Sequence, residues 1–216
     1  MADIGIEIRV NARLRRATVE PRLTLVDFLR ERCQLTGTHV GCEQGVCGAC
    51  TVLLALPGDG DGDGDGSSDP PGGQAGDAPA NPSANPSADP SADPRGGQAV
   101  RSCLVFAVQA DGGAVTTIEG VSAGTAEPGA GGLSVVQTAF RDRHALQCGF
   151  CTPGFVISAT AFLHENPDPT DEQIREALSG NLCRCTGYHG ILAAVRAAAD
   201  TMRTTTQVTT PLTEPR

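Results

Sequence analysis

The stretch Gly41-Cys-Glu-Gln-Gly-Val-Cys-Gly-Ala-Cys50 constrains this chain more than any other. Cys42, Cys47 and Cys50 stand at C-x4-C-x2-C, the spacing by which plant-type loops wrap a [2Fe–2S] cluster, and that pattern needs one more cysteine further on. Thiolates converging on two irons force the backbone to pass close around an inorganic body. Gly41, Gly45 and Gly48 allow this, because glycine accepts positive φ and lets amides approach sulfur, where they offset the negative charge of a cluster. A structural zinc knuckle is the competing reading, although zinc sites more often join C-x2-C to a second short Cys/His pair.

Nine cysteines are many for a chain whose first residues alternate apolar and polar and form no signal-peptide h-region. An odd count without an export signal points to a reducing compartment, with thiolates on metal instead of in disulfides. No run approaches the length of a membrane span, and a cytoplasmic protein is expected. The formal net charge of −9 is uneven. Residues 57–98 contain eight Asp and one Arg and so carry −7, leaving −2 for the rest. The remainder makes no electrostatic case for binding nucleic acid or an anionic membrane. Aromatic residues are only 3% of the chain and Trp is absent, so the cores must be built from Val, Leu, Ile and Ala.

Ile4, Ile6, Ile8 and Val10 alternate with polar residues as a half-buried strand does. A turn at Asn11–Arg13 and a returning strand Leu14–Glu20 complete a hairpin. Thr24 caps a helix to about Cys33 with Leu25, Phe28, Leu29 and Cys33 on one face. The cysteine loop leads into a short apolar strand at Thr51–Leu56. Residues 57–98 alternate Asp and Gly and then repeat a four-residue Pro-Ser-Ala unit, without Val, Ile, Leu, Phe or Tyr. Such a segment does not offset its ordering entropy, so a disordered surface insertion is expected. Asp61, Asp63, Asp65 and Gly66 imitate the start of a calcium loop, but its twelfth position is Gly72 instead of Glu. Two further strands, Val100–Ala110 and Ala114–Glu119, are predicted to form a hairpin about Asp111-Gly112-Gly113. Residues 120–132 read as a linker.

The second half is helical in pattern. Ser134 caps a helix to about His144, with Val135, Thr138 and Ala139 inward. Thr152-Pro153 opens a second to about Glu165. Thr170-Asp-Glu-Gln173 is a capping box for a third, ending at Gly180, and His189–Met202 forms a fourth. Thr204–Arg216 reads as a frayed polar tail. Cys148-Gly-Phe-Cys151 precedes the second helix, and Cys183-Arg-Cys185 lies between the third and fourth. Helical hairpins bring two such pairs together as a four-thiolate site. Zinc, a thioredoxin-like redox pair and a second [2Fe–2S] cluster all compete for it. C-x-C is an unusual zinc half-site, and a redox C-G-F-C should follow a strand, not a helix. His39, His144, His164 and His189 read as surface or capping groups.

Four motifs in order, Gly41-Cys42-x4-Cys47-Gly-Ala-Cys50, Ser102-Cys103-Leu104, Gln147-Cys-Gly-Phe-Cys151-Thr-Pro-Gly154 and Asn181-Leu-Cys-Arg-Cys-Thr-Gly-Tyr188, resemble the iron–sulfur small subunit of molybdenum hydroxylases. That family includes xanthine dehydrogenase, aldehyde oxidoreductase and aerobic carbon monoxide dehydrogenase. The resemblance spans nearly the whole chain outside residues 57–98 and the tail. It implies an α+β protein with a plant-ferredoxin-like β-grasp domain at 1–119 (insertion 57–98), a linker at 120–132, a four-helix-bundle domain at 133–203 and a tail at 204–216. It further implies a first [2Fe–2S] cluster on Cys42, Cys47, Cys50 and Cys103, and a second on Cys148, Cys151, Cys183 and Cys185. Gln147, and Cys185 close by, would lie against the pterin. The partners implied are a large molybdopterin subunit and a medium FAD subunit. A free-standing two-cluster ferredoxin is the alternative. Cys33 competes with Cys103 for the first site, being nearer in sequence. Its place on an apolar helix face suits a small buried hydrophobe, whereas Cys103 is expected in a strand at about the family spacing once the insertion is discounted.

Overall fold

A computed structural model describes residues 2–57, 97–122 and 132–208. The insertion proper, most of the linker and the last residues of the tail lie outside them. Strands β1 (Ile4–Val10) and β2 (Arg13–Val19) pair antiparallel, with Ile4 opposite Val19 and Val10 opposite Arg13. Asn11 and Ala12 turn the hairpin with φ of 48° and 64°, a two-residue geometry whose twist matches the strands. The Asn11 side chain also holds Thr117, donating to its Oγ1 and accepting from its backbone N–H at 2.9 Å each.

Helix α1 (Leu25–Asp27) begins where Thr24 Oγ1 accepts the Asp27 N–H, and it continues as a single π-turn over Phe28–Arg32. Leu25, Phe28, Leu29 and Cys33 are buried together, as their spacing predicts. Strands β3 (Thr51–Ala55), β4 (Gln98–Arg101) and β5 (Ala114–Thr116) complete a five-stranded sheet in the order β2-β1-β5-β3-β4. Only the β1–β5 contact is parallel.

The expected hairpin of Val100–Ala110 with Ala114–Glu119 does not form. After Arg101 the chain breaks into short 3-10 turns at Ser102–Leu104 and Ala107–Ala110, and β5 pairs with β1 and β3 instead. Residues 105–107 are drawn to the start of α1: Leu25 N–H donates to Val105 O at 2.7 Å and Ala107 N–H to Leu23 O at 2.8 Å. Ala107 and Ala110 are then fully buried against the sheet. Cys103 therefore sits in a 3-10 turn and not in a strand.

The helical half contains α2 (Val135–Asp142), α3 (Thr152–Glu165), α4 (Asp171–Leu178) and α5 (His189–Val208). Ser134 and Thr170 both close capping boxes, with Gln137 and Gln173 respectively. The inward face of α2 is Val136, Ala139 and Phe140; Val135 is exposed and Thr138 only half-buried. Ala139 is inward as predicted, while Val136 and Phe140 take the places expected for Val135 and Thr138 because the core formed with α3 and α5 lies on that side. Helix α5 runs past Met202 into the stretch predicted as tail. Thr204 and Thr205 hydroxyls fold back onto the carbonyls of Asp200 and Thr201, and Arg203 pairs with Asp200 and Asp168.

The two halves share β3. Val52 and Leu54 point into the core formed with Ile8, Phe28 and Leu29, while Leu53 points the other way, among Phe155, Ile157 and Ile191. Leu53→Ala should lower stability by about 2–5 kcal/mol through the lost transfer energy and the remaining cavity, read as a shifted midpoint in chemical denaturation. Where α3 starts, a Cβ on Gly154 would lie 2.1 Å from the Gly48 carbonyl oxygen. Gly154→Ala should destabilise by about 1–3 kcal/mol from overpacking, read in the same assay.

Candidate metal centres

The loop from Gly41 to Cys50 turns through positive φ at Glu43, Gly45 and Gly48 (56°, 73° and 72°). This aims its amides inward: the N–H groups of Gln44 and Cys47 both donate to Cys42 Sγ at 3.4 Å. Those two amides hold the Cys42 thiol down at about 7. Cys47 Sγ lies under Gly41, where an added Cβ would approach it to 3.1 Å. Cys103 reaches the same place from the far side of the insertion. The Ser102 hydroxyl donates to Cys50 O at 2.6 Å and anchors the turn. Burial and the neighbouring Cys50 thiol push Cys103 up to about 11, with the charges of Cys50 and Cys42 adding to the effect and the Gly45 amide opposing it. Four thiols thus gather at one loop. Cys33 is apart from them: its thiol is raised by burial in the sheet core and opposed by Arg15.

The second set gathers where α3 begins and α5 is about to begin. Cys185 donates to Cys148 at a Sγ–Sγ distance of 3.5 Å, and both are exposed. Cys151, the N-cap of α3, faces Cys183; burial first, and then the Cys183 thiol and its charge, push Cys151 up to about 12. Burial works against the Cys183 thiolate, yet the Thr186 hydroxyl and the amides of Cys185 and Thr186 keep its pKa below the ordinary value. The Phe150 amide and the Cys185 thiol lower Cys148. Sets of four thiols served by amides suit a larger body of irons and sulfides. Gln147 is exposed beside Cys148 and caps neither neighbouring helix, since α2 ends at Arg143 and α3 starts from Cys151.

The sites are stitched to each other by contacts that the sequence does not announce. Leu182 N–H donates to Cys47 O at 2.9 Å, so a single hydrogen bond joins the backbone of Cys47 to the residue preceding Cys183. Buried Asn181 donates to Gly48 O at 3.1 Å and accepts from Ser158 at 3.0 Å. Arg101 spans Thr51 Oγ1 and Gly180 O, each at 2.7 Å. His39, expected as a surface or capping group, stacks on Phe150 with ring centroids 4.9 Å apart. Its Nδ1–H donates to Phe150 O at 2.7 Å; a carbonyl accepts, so the proton belongs on Nδ1. The only signal for these partners is their position beside cysteines. Paired thiol sites joined in this way suit one-electron carriage between two centres.

Comparison with known proteins finds two iron–sulfur models along the chain. A 2Fe-2S iron-sulfur cluster binding domain matches residues 8–69, and a [2Fe-2S] binding domain matches residues 117–196. The chain is 43% identical over 192 residues to the nicotine 6-hydroxylase small subunit of Paenarthrobacter nicotinovorans, covering 89% of this chain and 87% of that one. It is 37% identical to caffeine dehydrogenase subunit gamma of Pseudomonas sp. (strain CBB1), covering 93% and 94%. Among solved structures, quinoline 2-oxidoreductase from Pseudomonas putida 86 superposes with a TM-score of 0.69 at 38% identity, over 94% of this chain and 98% of that chain. Both thiol sets fall within a fold and a sequence shared along nearly its whole length with such subunits, and the chain belongs to the family of iron–sulfur small subunits of molybdenum hydroxylase-type dehydrogenases, electron carriers with two [2Fe–2S] clusters.

Proposed function

We propose that this subunit takes electrons from a molybdopterin centre on a large partner subunit and passes them through its second cluster and then its first to FAD on a medium subunit. In this reading residues 1–119 form a plant-ferredoxin-like β-grasp domain interrupted at 57–98, residues 120–132 the linker, residues 133–203 a four-helix-bundle domain and residues 204–216 the tail. Cys42, Cys47, Cys50 and Cys103 hold the first cluster, and Cys148, Cys151, Cys183 and Cys185 the second. The observation that carries the reading is the Leu182–Cys47 hydrogen bond, which joins the backbones of the two thiol loops.

The clusters supply reversible one-electron storage; the chain's residues govern how that storage is held and linked. The amides of Gln44 and Cys47 favour the thiolate of Cys42. Asn181, Arg101 and Gly154 lock the first loop against the second domain. Exposed Cys148 and Cys185, with Gln147 beside them, mark the face that meets the pterin in this proposal. Exposed Val46 within the first loop and exposed Leu104 beside Gly45 give the face toward FAD in this proposal. No helix among the described residues is long and apolar enough to cross a membrane.

Co-purification with two larger subunits containing molybdopterin and FAD tests the assembly, and absence of both from the purified complex would overturn it. Nitrogen heteroaromatics are the first substrates to try, because nicotine, caffeine and quinoline name relatives of this chain. Cys148→Ser or Cys185→Ser should remove one of two EPR signals and stop substrate from reducing FAD. Loss of both signals from a folded protein would contradict the two-site assignment. Cys103→Ala should abolish the first cluster alone. Cys33→Ala should retain both clusters at a cost of ~1 kcal/mol or less in packing, with iron content and EPR deciding between the two cysteines.

A further inference from the structure

Thr186 lies between the second thiol pair and helix α5, and its side chain does two things at once. Its hydroxyl donates to Cys183 Sγ at 3.1 Å, and its oxygen accepts the Tyr188 backbone N–H at 3.1 Å. A hydroxyl has one hydrogen to give; the Tyr188 amide occupies the acceptor side, which leaves that hydrogen aimed at sulfur. Tyr188 closes the circuit, since its phenolic oxygen accepts the Cys183 N–H at 3.0 Å. Positive φ at Gly187 and Tyr188 (63° and 68°) folds the chain back to make this possible. The Tyr188 ring meets fully buried Phe155 edge-on, with centroids 6.2 Å apart, so the circuit is braced by the helical core.

Among the described residues, Cys183 is the cysteine whose sulfur is given a side-chain hydroxyl; Cys42 receives backbone amides and Cys148 a thiol. It also follows Leu182, whose N–H reaches Cys47 O. A hydrogen bond to a ligand sulfur stabilises the reduced cluster more than the oxidised one, because reduction adds one negative charge that the sulfurs share.

We propose that Thr186 is a positioning residue that raises the reduction potential of the second cluster by holding its hydroxyl hydrogen on Cys183. The proposal rests on the assignment of that cluster to Cys148, Cys151, Cys183 and Cys185. It concerns equilibrium occupancy: one electron, supplied in the test by dithionite, enters the iron pair and no proton need leave Thr186.

The test is a redox titration of the assembled complex followed by EPR, comparing wild type, Thr186→Val and Thr186→Ser. At a fixed solution potential, Thr186→Val should lower the ratio of reduced to oxidised second cluster about tenfold, which is about 59 mV for one electron. The first cluster should titrate as in wild type, and Thr186→Ser should stay near wild type. Where Thr186→Val fails to hold the second cluster, Thr186→Ala removes the same hydroxyl without a methyl against the site and gives the same reading. An unchanged potential in the valine or alanine variant, or an equal fall in the serine variant, would overturn the proposal. So would a set in which only Thr186→Ser retains the second cluster, since the hydroxyl would then serve assembly. Loss of one cluster signal in Cys148→Ser or Cys185→Ser tests the assignment regardless of these shifts, so failure of the proposal is distinguishable from failure of the assignment.

Discussion

The carbonyl of Gly48 is the point on which the two halves meet. It accepts from Asn181 Nδ2 and from Thr51 Oγ1, and the first turn of α3 passes over it at Gly154, where no Cβ fits. A buried carbonyl needs partners, and here they come from both sides of the interface. The adjoining carbonyl of Cys47 takes the Leu182 N–H. Consecutive peptide groups of the first cysteine loop are thus bonded to consecutive residues of the second. Moving either half would break this set together, so the separation of the thiol sites is held by one backbone hydrogen bond, from Leu182 to Cys47, and by the buried side chain of Asn181.

Behind that seam the sheet and the helices do the supporting. β3 presents one face to each core, so the strand that leaves the first cysteine loop is also packed by α3. Arg101 on β4 crosses to Gly180 from the same edge. Cys148 and Cys185 stay exposed, while Cys50 is buried and Cys151 half-buried. A site closed on the inner side and open on the outer is suited to receiving electrons at one surface while remaining fixed to the other domain.

The hydrogen bonds to sulfur differ between the loops for a local reason. Positive φ at Glu43 and Gly45 accompanies the two amides on Cys42. At Cys183 a side-chain hydroxyl, Thr186, joins the amides of Cys185 and Thr186. His39 and Phe150 add an apolar and hydrogen-bonded contact across the outer edge of the seam.

Much of this was legible in the sequence. The alternation in β1, the Ser134 cap, the Thr170 capping box, Pro153 in the first turn of α3 and the cysteine spacings all report local geometry, and each element formed where those signals lie. Cys33 was readable as core because it shares a helical face with Leu25 and Leu29. What depended on contacts distant in the chain was decided only by the tertiary structure. The segment after Arg101 looked like one strand, but its backbone found partners at Leu23 and Leu25 and broke into turns. The phase of α2 and the length of α5 followed from packing and capping beyond the repeat pattern. His39 read as a surface group because nothing local places Phe150 beside it. Spacing determines which residues share a turn or a face, since that geometry is local; which loop carbonyl meets which amide is determined by how the two cores pack about β3.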